Sequence, residues 1–333
     1  MIEVKKLEVC PEINPLEKVC YTEMGNVVEI QYMSRKNTKA TVRMLGNGEY
    51  LEVASGEIKK IVNHSSNRNE LKCNLYKTFK KLRGIINANV VNINQVRWCT
   101  LTYGDNVRSP DKLYKDFDKF NKRLKYYCNK NGFGKYEYIS IVEPQARGSW
   151  HIHLLLIFKE LAIAPYIPHE DFWKLWSPEG IKNKRDFVKI KKLDNVDNVG
   201  AYLTAYLGDI PVEIDDNTKA INMGFNFEEL QEFMYLNKGC RLNIKTVEVE
   251  EEEKKVEKKF LKGARLCLYP TNFNIYRTSR GIKRPKKEEM FNFQAQKKVS
   301  AATLTFEKTL ELNDSESTFN SLINYKYYNK VRK

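Results

Sequence analysis

The residues with the clearest chemical potential are one acid and two histidines, Glu143, His151 and His153. Alternate residues of a strand point to the same face, so a strand over residues 150–158 directs both imidazoles the same way. If residues 136–142 pair with that strand as a hairpin, Glu143 lies at its turn end, within reach of the same face. Two imidazole nitrogens and one carboxylate oxygen with open positions are typical of a catalytic divalent ion rather than a closed structural one.

The His-x-His pattern has a second interpretation, in which two surface or core histidines are satisfied by neighbouring groups. The chain has only four histidines, and two of them occupy alternate positions of one apolar strand. Burial of both imidazoles would cost several kcal/mol unless each found a partner. A metal ion satisfies both at once, which favours the metal site.

Two tyrosines follow, Tyr202 and Tyr206, in a helix predicted over residues 195–207. Positions four apart share a helix face, so both hydroxyls project from one side. The alternative is an apolar core stripe that also includes Val199. A phenol is a weak nucleophile, so attack on a phosphate would need an electrophile polarised by a metal.

Hydrophobic periodicity predicts the elements that position these residues. They are a helix over 67–87, a strand over 96–104, a helix that begins at Ser109-Pro110 and ends at Asn131-Gly132, strands over 136–142 and 150–158, a short helix near 172–176 and a strand over 187–190. The helix over 67–87 is amphipathic and basic. It is either a core helix with a solvated charged face or a helix whose charged face contacts phosphate.

Composition narrows the class of protein. The chain has 57 Lys and Arg against 42 Asp and Glu, a net charge of +15, which favours a polyanionic partner. An apolar fraction of 42% excludes a disordered chain. Neither an apolar run of about 18 residues nor a signal peptide is evident, so we expect a cytoplasmic protein. The seven cysteines form no CxxC pair, which argues against a disulfide framework and a zinc ribbon.

Three stretches together resemble a known family: WCTLTY (98–103), EPQARGSWHIHLLLIF (143–158) and NVGAYLTAYLGD (198–209). Their order is similar to that in the HUH endonucleases, in particular the rolling-circle replication initiator (Rep) proteins of bacterial plasmids and phages. RGIINANV (83–90) and YRTSRGIKRP (276–285) resemble the flanks of such proteins more weakly. The strong resemblance covers roughly residues 67–212.

The resemblance implies a reaction and its partners. Glu143, His151 and His153 would hold Mg²⁺ or Mn²⁺. Tyr202 or Tyr206 would attack a phosphodiester of single-stranded origin DNA, which gives a 5′-phosphotyrosine bond and a free 3′-hydroxyl. We expect Tyr202 to attack first. Host helicase and polymerase are further expected partners, and we expect no membrane association. The sequence has no P-loop motif, and none is required, because the covalent phosphoester conserves the bond energy for rejoining.

One departure concerns a lysine that relatives frequently carry between or after the tyrosines. Ala205 and Asp209 occupy those positions here. The metal or another basic residue must then stabilise the developing charge, and the candidates are Lys189, Lys191 and Lys192. Arg147, just before the histidine strand, and Arg280 are candidate DNA contacts, although the segment around Arg280 fits an ordinary edge strand with a basic turn equally well.

The implied fold class is α+β, with a central antiparallel sheet (an HUH/RRM-like palm), helices packed mainly on one face and a small β-rich N-terminal extension. We divide the chain into this extension (1–65), the endonuclease core (66–212), a charged insertion that can include the last strands of the nuclease domain (213–290) and a polar C-terminal tail (291–333). The charged run VEVEEEEKKVEKK (247–259) is expected to be a solvated helix or linker.

Two other functions remain open. The first is a relaxase or transposase of the same superfamily. Relaxases tend to carry the nucleophile before the histidines, whereas here the tyrosines follow them by about fifty residues, which favours a Rep protein. The second is a non-catalytic nucleic-acid-binding regulator in which the histidines and tyrosines are structural.

Overall fold

The chain forms two compact units, Met1–Ser65 with Pro285–Lys333, and Ser66–Arg284. The computed structural model describes residues 2–35, 41–61, 72–145, 148–177, 187–193, 198–204, 210–214, 221–222, 244–251, 254–261, 268–270, 273–314 and 320–332.

The described strands and helices, numbered in chain order, have the following bounds. The strands are β1 (Ile2–Lys6), β2 (Lys18–Met24), β3 (Val27–Met33), β4 (Val42–Gly46), β5 (Glu49–Glu52), β6 (Ile58–Lys60), β7 (Val96–Thr102), β8 (Glu137–Pro144), β9 (Trp150–Ile157), β10 (Phe187–Lys191), β11 (Ile210–Ile214), β12 (Ile221–Asn222), β13 (Ile244–Glu251), β14 (Lys254–Leu261), β15 (Tyr276–Thr278), β16 (Lys286–Phe291), β17 (Thr303–Asp314) and β18 (Asn320–Asn329). The helices are α1 (Lys72–Asn89), α2 (Pro110–Lys130), α3 (His169–Trp176), α4 (Val199–Thr204) and α5 (Asn292–Lys298).

The first unit contains a six-stranded antiparallel sheet with the order β1-β17-β18-β3-β2-β16, and a three-stranded sheet β4-β5-β6. The predicted β-rich N-terminal region is therefore confirmed. The C-terminal segment differs from the expected polar tail, because β17 and β18 pair with each other and with β1 and β3. β18 buries Ile323 and Tyr328 together with the polar residues Ser321, Asn324 and Asn329, so its sequence lacks the apolar–polar alternation that predicts a strand.

The second unit has a five-stranded antiparallel sheet in which β9 is the central strand: β10-β7-β9-β8-β15. On one face α2 packs through Phe117, whose ring lies 5.4 Å from that of Tyr138 on β8. On the other face α4 packs through Tyr202, whose ring lies 5.8 Å from that of Trp98 on β7. The α+β class with an antiparallel sheet is confirmed, but helices lie on both faces rather than mainly on one.

Helix α2 forms for reasons that are visible in the sequence. Ser109 caps its N-terminus by accepting from the backbone N–H of Lys112 at 3.4 Å, and Pro110 occupies the first turn. Its buried residues repeat every three or four positions: Leu113, Phe117, Phe120, Leu124 and Cys128. Among the helices that the structure describes, none is long and apolar enough to cross a membrane.

Within the charged run over 247–259, residues 247–251 and 254–259 lie in strands, which corrects the expectation of a solvated helix or linker. β13 and β14 pair antiparallel, with Glu250 opposite Lys255 and Glu251 opposite Lys254. Opposite charge types at these paired positions favour strand pairing, and a count of charges does not reveal such a register. β11 and β12 extend this sheet to four strands.

Candidate active site

The hairpin of β8 and β9 brings the acid and both histidines to one face of the five-stranded sheet. Glu143 is paired with His151, and Ile141 with His153, so Glu143 and both histidines share a face. In the connecting turn the backbone N–H of Gln145 donates to the Ser149 carbonyl at 2.7 Å. The predicted convergence of the three side chains is therefore present.

Their ligand atoms lie very close together. Glu143 Oε2 is 3.0 Å from His153 Nε2 and 3.2 Å from His151 Nε2, and the two Nε2 atoms are 2.9 Å apart. For ligand bonds of about 2.1 Å, adjacent positions of an octahedron are about 3.0 Å apart. Glu143, His151 and His153 thus fit three adjacent positions around one divalent ion, which leaves the other positions open.

Burial keeps both imidazoles uncharged near neutral pH. Side-chain exposure is 6% for Glu143, 11% for His151 and 23% for His153. Desolvation lowers the pKa of His153 to about 4. Desolvation, followed by the neighbouring His153, holds the pKa of His151 well below its usual range. Neutral imidazole is the form that binds a metal.

The second ring nitrogens have different surroundings. His153 Nδ1 lies 3.4 Å from Thr100 Oγ1 on β7, so the hydroxyl can fix the tautomer that leaves Nε2 free for an ion. His151 Nδ1 is buried without a hydrogen-bond partner in the described part of the chain. Thr100 is paired with His153 and therefore lies on the same face.

Tyr202 is on the same face of the sheet as the histidines. Its ring meets the ring of Trp98 edge-on at 5.8 Å, and Trp98 lies 6.0 Å from the His153 ring. Tyr202 is 41% exposed. In the described residues α4 begins at Val199, later than predicted.

Two of the predicted site residues lie outside the described residues, Tyr206 and Arg147. Residues 195–197, the predicted start of the tyrosine helix, also lie outside them. In the described residues the Asn198 side chain accepts from the backbone N–H of Ala201 at 3.0 Å.

The lysines of β10 are on the face of the site. Lys189 is paired with Thr100, which is paired with His153, so two strand spacings, about 10 Å, separate Lys189 from the imidazole. Lys191 is paired with Trp98 on the same face, and both lysines are exposed. The two lysines therefore place positive charge at the β10 edge of the sheet, on the face that carries the site.

Arg280 lies elsewhere. It follows β15, and the neighbouring Gly281 N–H donates to Glu137 at 3.1 Å. Glu137 begins β8, six residues before Glu143, which corresponds to about 20 Å along a strand. The structure therefore does not bring Arg280 together with the metal ligands.

Positive charge is concentrated in the unit that carries the site. Ser66–Arg284 contains 39 Lys and Arg against 27 Asp and Glu, which is +12 of the total +15. The net charge of this unit thus favours a polyanionic partner.

An antiparallel sheet with His-x-His on its central strand, an acid on the next strand and a tyrosine helix on the same face is the arrangement that the resemblance to the HUH endonucleases implies. Residues 96–210 match the family model of the replication-associated protein ORF2, which describes a rolling-circle replication initiator family. The resemblance inferred from the sequence is confirmed for this segment. No curated protein and no solved structure matches the chain.

Sequence reasoning missed two neighbours of the site, Trp98 and Thr100. Both lie in the WCTLTY stretch, where period-two alternation puts them on one face. The pattern did not reveal that this face is shared with the histidines, because the register between β7 and β9 is a long-range property.

Proposed function

We propose that the protein is a rolling-circle replication initiator that nicks and rejoins single-stranded origin DNA through a 5′-phosphotyrosine intermediate. The observation that carries this proposal is the common face of Tyr202 and the cluster of Glu143, His151 and His153, linked by the ring of Trp98. The match to a replication-associated family supports it.

Glu143, His151 and His153 would hold Mg²⁺ or Mn²⁺, with imidazole nitrogens favouring Mn²⁺ more than an all-oxygen site would. When bound, the ion would polarise a non-bridging oxygen of the scissile phosphate and orient the phosphate for attack. The chain supplies the preconditions: two imidazoles kept neutral by burial, and Thr100 to orient one of them.

Tyr202 is our nucleophile for the first step. Its phenolic oxygen gives up its proton and forms a bond to phosphorus while the bond from phosphorus to the 3′-oxygen breaks. The leaving oxygen takes up one proton to become a free 3′-hydroxyl, so the number of protons is unchanged overall. The phosphodiester bond is exchanged for a phosphotyrosine bond, so rejoining by a 3′-hydroxyl needs no nucleotide cofactor. Tyr206 is our candidate for a second strand transfer.

Lys189 and Lys191 are our candidates for the role of the missing lysine beside the tyrosines. Their exposed side chains lie on the face of the site, where they can attract the DNA backbone and offset negative charge near the phosphate. The net charge of the unit makes DNA binding dependent on salt. We expect a host polymerase to extend the 3′-hydroxyl and a host helicase to unwind the duplex.

The test is cleavage of a labelled single-stranded oligonucleotide with Mn²⁺, followed by denaturing electrophoresis. The double variant Tyr202→Phe with Tyr206→Phe should lose the covalent protein–DNA adduct while DNA binding stays nearly intact. His151→Ala should lose cleavage. Tyr166→Phe, at a tyrosine that is 76% exposed, serves as a control and should react like the wild type. An adduct that persists in the double variant would refute the nucleophile assignment, and a wild type that binds DNA without cleaving it would favour a non-catalytic regulator.

A further inference from the structure

The described residues of the tyrosine helix α4, Val199–Thr204, make few contacts with the sheet. In proteins most of the stability of a helix comes from its tertiary packing. Tyr202 itself is partly exposed and contacts the sheet through one edge-on ring contact. Tertiary contacts must therefore fix the direction of its hydroxyl.

Asn87 of α1 supplies two of these contacts. Its side chain is buried, with 4% exposure. Asn87 Oδ1 accepts from the backbone N–H of Gly200 at 2.7 Å, and Asn87 Nδ2 donates to Asn198 Oδ1 at 2.9 Å. The same Asn198 oxygen accepts from the N–H of Ala201. One amide of α1 thus binds the first turn of the helix, immediately before Tyr202.

Gly200 lets the two helices approach closely. A Cβ at this position would lie 2.5 Å from the Arg83 carbonyl oxygen and 2.6 Å from Asn87 Oδ1. Such contacts are too short for any side chain, so the asparagine reaches the backbone only because the residue is glycine.

A second contact holds the other end of the same helix face. Arg83 Nε donates to Thr204 Oγ1 at 3.2 Å, and Thr204 is four residues from Gly200. Gly200 and Thr204 therefore share the face toward α1. Tyr202 lies midway between them in sequence, so it points away from α1, toward Trp98 and the histidine strand.

We infer that Asn87 is a positioning residue for the cleavage reaction, which it serves by fixing the rotation and start of α4 and hence the direction of Tyr202. This inference rests on the proposed function. Asn87 acts through the backbone of Gly200 and the side chain of Asn198, so it contacts neither substrate nor metal ligands among the described residues. Its substitution should slow the reaction of bound DNA rather than weaken DNA or metal binding.

The same helix offers a matched control. Asn89 is also buried, with 7% exposure, and it also makes several hydrogen bonds, to the Ile85 and Lys283 carbonyls and from Lys159 Nζ. None of these partners belongs to α4. Asn89→Ala should therefore destabilise the protein as Asn87→Ala does without turning the tyrosine.

The experiment measures single-turnover adduct formation at saturating oligonucleotide and Mn²⁺ for wild type, Asn87→Ala, Asn87→Asp and Asn89→Ala. Displacement of a reacting group by about 1 Å costs on the order of 100-fold in rate, so we expect Asn87→Ala to react 10- to 100-fold more slowly, with DNA and Mn²⁺ affinities within about 3-fold of wild type. Asn87→Asp keeps the acceptor for Gly200 and should react at an intermediate rate. Asn89→Ala should stay within about 3-fold of wild type.

Hydrogen exchange of residues 199–204 is measured on the same proteins, and protection should fall in Asn87→Ala alone. A wild-type rate in Asn87→Ala, or an equal loss in Asn89→Ala, would overturn the inference. A wild type that forms no adduct would instead refute the proposed function, and the exchange data would still decide whether Asn87 holds α4.

Discussion

The divalent ion that we propose for Glu143, His151 and His153 should bind with a pH dependence that follows from the burial of the two imidazoles. A proton would compete with the ion for His151 and His153. Two imidazoles with the ordinary pKa of about 6.5 would each be about 24% neutral at pH 6, so affinity would fall about 16-fold between pH 8 and pH 6. Desolvation lowers the pKa of His153 to about 4, and the pKa of His151 is also well below its usual range. About 99% of His153 is then neutral at pH 6.

We therefore expect Mn²⁺ affinity to change by less than about 2-fold between pH 8 and pH 6. The free ion can be measured by its paramagnetic resonance signal in titrations at each pH. His169→Ala is the control, because His169 Nε2 lies 3.0 Å from the Val188 carbonyl oxygen, outside the cluster of Glu143, His151 and His153, and its loss should leave the titration unchanged. A fall of tenfold or more by pH 6 would show that the imidazoles titrate normally and would refute the burial argument.

Four other outcomes are expected. Gly200→Ala should destabilise the protein by about 1–3 kcal/mol in urea unfolding, because its Cβ would meet the Arg83 carbonyl oxygen. Thr100→Val should lower Mn²⁺ affinity about 10- to 100-fold in the same titration, since it removes the hydroxyl beside His153. The pKa of His153 is about 4 in the folded protein and about 6.5 in the unfolded chain, so the free energy of unfolding should fall by about 3 kcal/mol as the pH falls from 6.5 to 4. In this range the free energy of unfolding of the wild type should depend more steeply on pH than that of His153→Gln. Lys189→Ala should reduce the slope of log affinity against log salt for single-stranded DNA by about 0.7.

Elements with strong local patterns could be predicted from the sequence. α2 was specified by Ser109 and by apolar residues at helical spacing, and the hairpin of β8 and β9 by two short apolar runs around a turn. The candidate metal ligands followed from that hairpin, because strand alternation fixes the common face of His151 and His153.

Long-range pairing could not be predicted in the same way. β18 joins β3 across almost the whole chain, and no local pattern of residues 320–329 identifies that partner. The contact of Asn87 with Gly200 spans more than one hundred residues, and a buried asparagine on an apolar helix face looks the same whether it binds a neighbouring helix or a loop. Contacts between residues so far apart in sequence leave no periodic pattern in the sequence that would predict them.

The most direct test of the account is to map the covalent link. Wild-type protein is reacted with a single-stranded oligonucleotide and Mn²⁺, digested with protease, and the peptide that carries the nucleotide is sequenced by mass spectrometry. The account predicts a phosphotyrosine link within residues 198–209, at Tyr202 in the first step, that disappears in His151→Ala. A link at a tyrosine elsewhere in the chain, or cleavage that leaves a free 5′-phosphate and no protein-bound DNA, would contradict it.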